Sequence, residues 1–539
     1  MREMTGLDRE TFEMIRGTFK GLAERKLQLD EKLEWDATQE FPLDLIREML
    51  SEEIGLQLVF LPESQGGFGG GARDIALLSE EMAKADLGVA TAFLAISLGT
   101  DPIIVGCTEA QKDKWLGKIA DGTIVGYAVT EPEAGSNLQS IKTTAERVTD
   151  ASGAVTGYRI NGAKQFCTNG GYAEILTVLA NAPDGPSFFI VEKDTEGLKP
   201  GKHEDKHGIR CSNTAPLVFE DMVVPAENLV GEAEGQGLKQ ANEVFGYTRL
   251  MVAAFGLGGG MAAMEQALAY AKDRRQFGKP LVEFQGYTHK LLVPNWVRLE
   301  AARAYIEEVA DRLDGQETDL QVEGSIAKYF ATEAGDAAAN DAIQALGGYG
   351  YIREFEVEKI KRDVKITCIY EGTSEIQQNI IGLFRFRTEF RSKGRYYGDR
   401  ADALAAMAPE TGGPRLAPAA RLLSEIVGFA KKRKLTREQH VMFNIADMAT
   451  WTETALALCR KAAAGKGGAL SADSLKRAAR LFASEAVAKA VACASRITIG
   501  TGADADGTWA ARLKEIDLVS LAQGAVEDMD GVMAELKER

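Results

Sequence analysis

Cysteine and histidine are scarce in this sequence, and their spacing does not suggest a metal or disulfide centre. The six cysteines lie far apart without any Cys-x-x-Cys pair, so we expect reduced, buried thiols. Of the four histidines, only His203 and His207 have a metal-like spacing. Glycines bracket this pair and strand-like runs flank it, so we expect no metal site. The cysteines are Cys107, Cys167, Cys211, Cys368, Cys459 and Cys493.

An excess of basic residues is also absent. The chain has 63 Lys and Arg against 79 Asp and Glu, a formal net charge of −16. Nucleic acids and anionic membranes attract basic surfaces, so we expect neither as a partner. No stretch approaches the ~20 uninterrupted apolar residues of a membrane span, and residues 1–10 are charged and acidic rather than signal-like. We therefore expect a cytoplasmic protein without membrane association.

The sequence lacks the fingerprints of nucleotide-binding loops. The glycine run at 66–71 follows no predicted strand and precedes no Gly-Lys-Ser/Thr, so it predicts a flexible turn between helices. A chain without a cysteine cluster, metal site or nicotinamide fingerprint needs an organic redox cofactor if it oxidises a substrate.

What is present suffices for several packed domains: 539 residues, 45% of them hydrophobic. Helical periodicity marks 8–120, and Ala-rich helical segments return from Leu238, at 251–272, 299–313 and 327–344. Between them, β-branched and aromatic runs predict strands at 123–129, 158–160, 175–179, 187–191 and 216–219. Gly258 to Gly260 fall within a helical segment, which suggests close approach of another backbone or a ligand.

These patterns predict a mainly α fold with a central β-domain. We expect an N-terminal helical domain (1–120), a middle β-domain (121–237), a helical bundle (238–395) and an appended helical domain (396–539). The six basic residues of 383–400 are offset by Glu389 and Asp399, which favours a solvated, hinge-like linker over a peripheral membrane contact. Glycine-containing loops at 465–468 and 500–507 divide the appended helices.

The most informative candidate is Glu371, in the segment IYEGTSEIQ at 369–377. Ser374 and Gln377 have the spacing of a capping box, so a helix should begin at Thr373 or Ser374, with Glu371 on a loop just before it. A helix N-terminus favours the charged carboxylate, whereas a ligand that removed its water would make it a stronger base. On this segment alone, a solvated loop residue is the simpler interpretation.

Four further blocks change that interpretation: YAVTEPEAGSN at 127–137, GAKQFCTNG at 162–170, RRQFGKPLVEFQ at 274–285 and QALGGYGY at 344–351. Together with the segment of Glu371, they resemble the acyl-CoA dehydrogenase family in order and spacing. The resemblance covers roughly 35–395 and implies the N-terminal helical, middle β and C-terminal helical architecture of that family. The appended helices are similar to those of its very-long-chain branch, in which they accompany a dimer rather than a tetramer. We expect a homo-oligomer, either a homodimer or a homotetramer.

The resemblance implies FAD as cofactor, with its ring between the β-domain and the following helical domain. Arg275 and Phe277 match positions that hold the pyrophosphate and adenine of a neighbouring subunit's cofactor. The other implied cofactor contacts are Tyr127, Val129, Thr130, Ser136, Phe166, Thr168, Gln285, Gln344, Gly347, Gly348, Thr373 and Gln377. Each of these residues also has a purely structural interpretation, such as a helix cap for Gly347 and Gly348.

The resemblance also implies the reaction. Glu371 would remove the α-proton of an acyl-CoA thioester, giving a trans-2-enoyl-CoA, and electrons would pass to an electron-transfer flavoprotein. Substrate contacts are implied for Ser136, Phe245, Tyr247, Arg249, Tyr370 and Gly372. The alternatives are an acyl-CoA oxidase, an enoyl-CoA reductase and a non-catalytic scaffold of the same fold. The chain departs from the family pattern at Asn137, Phe166 and Gly246, which leaves flavin tuning and one CoA contact open.

Overall fold

A computed structural model describes residues 6–465 and 467–539; the side chain of Tyr247 is outside that description. The chain forms two compact units. The first extends to Met251 and includes Leu313–Glu317, and the second comprises Val252–Arg312 and Thr318–Arg539. The boundaries predicted after residues 120, 237 and 395 stay predictions.

The first unit begins with helices, as the periodicity predicts. Asp8 caps the first of them by accepting a hydrogen bond from the backbone N–H of Thr11. The glycine run at 66–71 forms a turn before α4, also as predicted. The helices are α1 (Arg9–Lys26), α2 (Leu29–Thr38), α3 (Leu43–Met49), α4 (Ala72–Ala85), α5 (Leu87–Gly106) and α6 (Glu109–Ala120).

Helix α5 corrects one expectation, because by length and composition it could cross a membrane. However, 89% of its most apolar window is buried inside the protein, as in the core helix of a globular domain. Its polar side chains are satisfied locally: the hydroxyls of Thr91 and Thr100 donate to the carbonyls of Leu87 and Ile96. It serves here as a core element.

A mixed sheet follows, with strand order β1-β4-β2-β3-β7-β6 and β5 paired to β4. Every predicted strand lies within or overlaps one of these. β1 and β4 run parallel, whereas β3 and β7 are antiparallel with register shifts after Ile160 and Lys164. The strands are β1 (Val125–Ala128), β2 (Thr144–Thr149), β3 (Val155–Thr168), β4 (Ile175–Ala182), β5 (Gly185–Glu192), β6 (Leu198–Pro200) and β7 (Thr214–Pro225).

Helix α7 (Gly237–Asp273) leads into the second unit. There, Cβ atoms on Gly256 and Gly260 would lie 2.7 Å from the Cα of Thr332 and 2.8 Å from that of Gly335, so glycine permits close packing on α10. This confirms the backbone approach predicted from the glycine run. The following elements are the hairpin β8 (Arg275–Gln276) and β9 (Lys279–Pro280), and the helices α8 (Gln285–Tyr287), α9 (Val293–Asp314), α10 (Gln321–Leu346), α11 (Glu356–Val364) and α12 (Ser374–Arg391).

The segment 383–400 is not a solvated linker. It contains the end of α12 and the beginning of α13. Arg385 is 5% exposed and forms ion pairs with Glu453 and Glu323, at 2.7 and 2.9 Å. The helices that follow are α13 (Arg395–Ala405), α14 (Gly413–Lys432), α15 (Gln439–Ala463), α16 (Ala472–Thr498), α17 (Thr508–Lys514), α18 (Leu518–Leu521) and α19 (Ala525–Glu538). Both glycine loops separate helices as predicted, with Lys466 outside the described residues.

Candidate functional site

Glu371 lies in a turn between a short 3-10 helix, Lys365–Cys368, and α12. It is half-buried, and both Glu371 (φ 53°) and Gly372 (φ 92°) have left-handed backbone conformations. A non-glycine residue in this region is held there against its preference, a condition that recurs at functional sites. The constrained backbone of this turn therefore sets the direction in which the Glu371 side chain leaves the chain.

The helix after the turn starts where the sequence predicts, but its cap is different. Thr373 is the N-cap, and its hydroxyl accepts a hydrogen bond of 3.4 Å from the N–H of Ile376. The Ser374 hydroxyl instead donates to Glu333 at 2.5 Å. The predicted Ser374–Gln377 capping box is therefore wrong.

Two buried donors fix the carbonyls of the turn. The Gln377 amide Nε2 donates to the carbonyl oxygens of Glu371 at 3.0 Å and Gly372 at 3.1 Å. The Lys328 ammonium, on α10, donates to the Gly372 carbonyl at 2.8 Å and has no exposed surface. A Cβ on Gly372 would lie 2.6 Å from Gln377 Nε2, so this contact requires glycine. Lys328 is absent from the sequence-based predictions; its one signal is a lysine within an apolar helical run.

The N-terminal end of α12, next to the turn, favours the charged form of a carboxylate. The pKa of Glu375 is lowered, first by a hydrogen bond from its own backbone N–H and then by the Thr373 hydroxyl. This is the expected effect of free N–H groups in the first turn of a helix.

In the first unit, a buried ion pair organises the loop 127–137. The Lys164 ammonium lies 2.7 Å from Glu131 Oε1 and donates to the carbonyl of Val129 at 3.1 Å. Glu131 also accepts backbone N–H groups of Lys142 and Thr143, at 2.5 and 3.0 Å. Burial opposes the charge of both partners and lowers the pKa of Lys164; the bonds to Glu131 outweigh burial and lower the pKa of that carboxyl.

The block 162–170 meets this loop directly, because the N–H of Gln165 donates to the carbonyl of Thr130 at 2.8 Å. A bulge in β3 at this point leaves Phe166 in a left-handed conformation (φ 57°) and 62% exposed. Thr130 and Thr168 are half-buried, and Ser136 is exposed. The structure thus joins the two blocks by a backbone hydrogen bond, with Val129 buried and Tyr127 half-buried.

The predicted substrate residues of α7 differ in exposure. Arg249 is buried and Phe245 is half-buried. A Cβ on Gly246 would meet no atom within 4 Å. Tyr247 lies outside the described side chains, so its predicted contact has no structural account. In the second unit, Tyr370 is half-buried beside Glu371.

A cleft of about 510 Å³ in the second unit includes Gly347 and Gly348, next to the exposed Gln344. Arg274 lines this cleft. The sequence reasoning gave Arg274 no role. It gave a cofactor role to the next residue, Arg275, which belongs to the β8–β9 hairpin. The residues that line the cleft are Tyr270, Arg274, Leu281, Ala345, Leu346, Gly347, Gly348, Tyr349 and Ile352.

Two other predicted cofactor residues lie near this region of the sequence. Phe277, at the hairpin tip, has φ 49° and is 94% exposed. The Gln285 amide donates to Asp530 of α19 at 3.1 Å. A side chain that already has an intramolecular partner would have to exchange it to bind a cofactor, so the assignment of Gln285 stays a prediction.

Cysteine and histidine contribute no metal centre to the described part of the chain. All six cysteines are free and buried, and burial raises the pKa of Cys167 to about 12. His203 has Lys206 as a neighbour, with Nε2 and Nζ 2.7 Å apart. Over residues 6–465 and 467–539, no group of three or more His, Cys, Asp or Glu side chains could hold a metal ion.

Comparison with known proteins decides the family. Models of the acyl-CoA dehydrogenase N-terminal, middle and C-terminal domains match 9–123, 126–222 and 235–383 with 402–536. An acyl-CoA dehydrogenase of Bacillus subtilis (strain 168) is 40% identical over 356 residues, which are 65% of this chain and 91% of the relative. The chain belongs to the acyl-CoA dehydrogenase family. It is an oxidoreductase that acts on CH–CH groups, and FAD is its cofactor.

Two solved structures extend the comparison. The acyl-CoA dehydrogenase complexed with FAD from Bacillus anthracis is 26% identical with a TM-score of 0.85, covering 100% of this chain and 97% of that one. The other is described as the electron transferring flavoprotein of Acidaminococcus fermentans, in work towards a mechanism of flavin-based electron bifurcation. It is 34% identical with a TM-score of 0.65, covering 70% of this chain and 97% of that one. Because the match to the Bacillus anthracis structure covers the whole chain, it includes the appended helices of this acyl-CoA dehydrogenase.

Several features of this acyl-CoA dehydrogenase suit FAD. The Gln377 Oε1 is buried and has no hydrogen-bond partner among the described residues, so it could accept a bond from the cofactor. In the cleft, Cβ atoms on Gly347 and Gly348 would meet no atom within 4 Å, which leaves open backbone in a cleft that Arg274 also lines. Open backbone and a guanidinium suit a diphosphate.

Proposed function

We propose that this acyl-CoA dehydrogenase converts an acyl-CoA thioester to its trans-2-enoyl-CoA with Glu371 as the base. The Glu371 carboxylate takes the pro-R α-proton, and the C–H electron pair forms the new double bond as hydride leaves the β-carbon. When bound, FAD would supply the hydride acceptor that this step needs. The proposal rests on the constrained turn at 371–372. Hydrogen bonds from Lys328 and Gln377 hold the backbone that carries the Glu371 carboxylate in a fixed conformation.

The same turn supports stabilisation of the enolate that develops on the thioester oxygen. A backbone N–H at position 371 would donate to that oxygen, and a donor held in place before the reaction costs no reorganisation when the charge appears. Tyr370 and Gly372 flank this position. Ser136, Phe245, Tyr247 and Arg249 are the further residues proposed to contact the substrate.

We also propose the cofactor contacts. The proposed contacts of the first unit are Tyr127, Val129, Thr130, Ser136, Phe166 and Thr168, and the Lys164–Glu131 pair in the same segment supports this proposal. The proposed contacts of the second unit are Gln344, Gly347, Gly348, Thr373 and Gln377, to which we add Arg274 for the diphosphate. Phe277 is proposed to contact FAD of a second subunit, since an aromatic ring that is 94% exposed in a left-handed backbone has little stabilising role in one chain.

An electron-transfer flavoprotein is the proposed electron acceptor. The similarity of this chain to a structure described as the electron transferring flavoprotein of Acidaminococcus fermentans supports this proposal. A homo-oligomer, either dimer or tetramer, is the proposed assembly, and light scattering would distinguish the two. The cytoplasmic location stays a prediction.

The test is an assay of purified, yellow protein on a panel of acyl-CoAs with a dye acceptor, an electron-transfer flavoprotein or oxygen. We expect acyl-CoA-dependent reduction of the dye and the flavoprotein. Rapid oxygen consumption with peroxide formation would instead indicate an oxidase. The Glu371→Gln protein should keep bound FAD and lose nearly all turnover; substantial turnover would refute the role of Glu371. No turnover by the unmodified protein with any acyl-CoA would refute the activity itself.

A further inference from the structure

The two donors that hold the catalytic turn come from different helices. Lys328 is on α10, and Gln377 is on α12. The Gly372 carbonyl can accept from both only if the two helices keep one relative position. Whatever fixes α10 against α12 therefore also fixes the backbone that carries Glu371.

One carboxylate oxygen in the appended segment joins these two helices at the adjacent residues. Asp447 Oδ1, on α15, accepts a hydrogen bond from the Tyr329 hydroxyl at 2.9 Å and from the Gln378 amide at 2.7 Å. Tyr329 directly follows Lys328, and Gln378 directly follows Gln377. Successive helical side chains point about 100° apart, so each helix contacts the turn with one residue and Asp447 with the next.

Asp447 is itself held in place. It is 8% exposed, and its second oxygen lies 2.9 Å from Lys489 Nζ on α16. A buried carboxylate costs free energy unless it is hydrogen-bonded, and this one has two neutral donors and a cation. Burial and the Asp447 charge also raise the pKa of Tyr329 well above its ordinary value, so its hydroxyl stays protonated and donates.

We propose that Asp447 is a positioning residue for Glu371: by clamping Tyr329 of α10 to Gln378 of α12, the appended segment sets the geometry of the catalytic turn. This rests on the proposed function of Glu371. It gives the appended helices a role in the reaction that does not require them to touch the substrate.

The test compares Asp447→Ala with Asp528→Ala, each as the full-length, FAD-loaded protein. Asp528 is a matched control because it is a buried carboxylate of the same segment (4% exposed) that pairs with Arg480 of α16. We expect Asp447→Ala to lower kcat by about tenfold or more, since small misplacements of a catalytic group are costly. Its KM should stay within about twofold and its FAD content unchanged. Asp447→Asn, which retains an acceptor oxygen, should recover most of the loss.

A merely structural role predicts equal effects of the two alanine variants on kcat once both are folded. The rate of α-proton exchange with solvent deuterium separates the roles, and it should fall only in the Asp447→Ala protein. If that protein does not fold, Tyr329→Phe combined with Gln378→Met removes the same two bonds and should lower kcat equally. Unchanged kcat and exchange in whichever of these proteins folds would overturn the proposal.

A parallel Glu371→Gln protein keeps the two failures distinct. If it retains turnover, the proposed function fails, whatever Asp447 does. If it loses turnover while Asp447→Ala matches Asp528→Ala, only the positioning role fails.

Discussion

The Nζ atom of Lys328 lies 2.8 Å from the carbonyl oxygen of Gly372, so a fully buried ammonium is bonded to the turn that carries Glu371. A hydrogen bond from a charged donor is stronger than one between neutral groups. At this position it opposes the backbone preference of Glu371, whose left-handed conformation costs roughly 1–3 kcal/mol. The geometry of the proposed catalytic turn therefore depends on a residue to which the proposed reaction gives no direct part.

Replacing Lys328 by methionine should lower kcat by roughly 10- to 100-fold, because the turn can relax when the charged donor is lost. FAD content and KM should change little. The measurement is steady-state turnover with a dye acceptor at saturating acyl-CoA. Lys365→Met is the control, since Lys365 is 45% exposed and pairs with Asp336 rather than with the turn. An unchanged kcat in Lys328→Met would show that Gln377 alone holds the turn.

The Lys164–Glu131 pair should dominate the stability of the first unit's site loop. Lys164→Met leaves a buried carboxylate without its cation, which costs about 3–5 kcal/mol. Lys199→Met removes an exposed pair with Glu220, worth about 0–1 kcal/mol, and serves as the control. Chemical denaturation gives both free energies of unfolding. Equal losses in the two variants would mean that the burial of Lys164 has no energetic consequence.

Arg274 should contribute more than Arg275 to FAD affinity. Arg274 lines the cleft with Gly347 and Gly348, where a guanidinium can bind a diphosphate bidentately, whereas Arg275 lies on the hairpin. We expect Arg274→Ala to weaken FAD binding about tenfold, from roughly 1.4 kcal/mol of lost interaction. Titration of the apoproteins with FAD measures this. The reverse order of the two variants would favour the sequence-based assignment of Arg275 over the role proposed for Arg274.

The Arg385–Glu453 pair should make stability fall at acid pH. Burial alone would raise the pKa of Glu453, but the Arg385 charge and the Tyr397 hydroxyl outweigh burial and lower it. Because the folded pKa is lowered, the stabilisation is complete above the unfolded value of about 4.3 and is lost as pH falls through the folded value.

Glu453→Gln should therefore flatten the decline in unfolding free energy below about pH 5, while also lowering stability at neutral pH. Denaturation between pH 3 and 7 measures both effects. Glu308→Gln, which removes the partner of the half-exposed Arg460, should leave the acid slope unchanged. An identical slope in Glu453→Gln would mean that another carboxyl governs acid unfolding.

Local patterns in the sequence located the elements, whereas Glu371 was singled out only by the resemblance of five separate blocks to one family. The β-branched and aromatic runs at 175–179 and 187–191 become β4 and β5, and α12 begins at Ser374 as predicted, although the capping box behind that prediction is wrong. These predictions succeed because the information lies within a few residues. The capping detail fails because the Ser374 hydroxyl has a tertiary partner, Glu333, which competes with the local bond.

Long-range contacts explain the remaining differences. The arginines of 383–400 suggest a solvated linker, but Arg385 is paired with Glu453, 68 residues further along the chain. Lys328 contacts a turn 44 residues away. Neither partnership leaves a periodic or motif signal in a local window, so long-range partners such as Lys328 are harder to predict than the proposed base, Glu371.

The most direct test of the central claim is exchange of the substrate's α-proton with solvent deuterium, followed by mass spectrometry in the absence of an electron acceptor. With the unmodified enzyme and a suitable acyl-CoA, we expect deuterium at the α-carbon. The Glu371→Gln protein, with FAD bound and its fold intact, should show almost none. Exchange at the unmodified rate in that variant would contradict the assignment of Glu371 as the base.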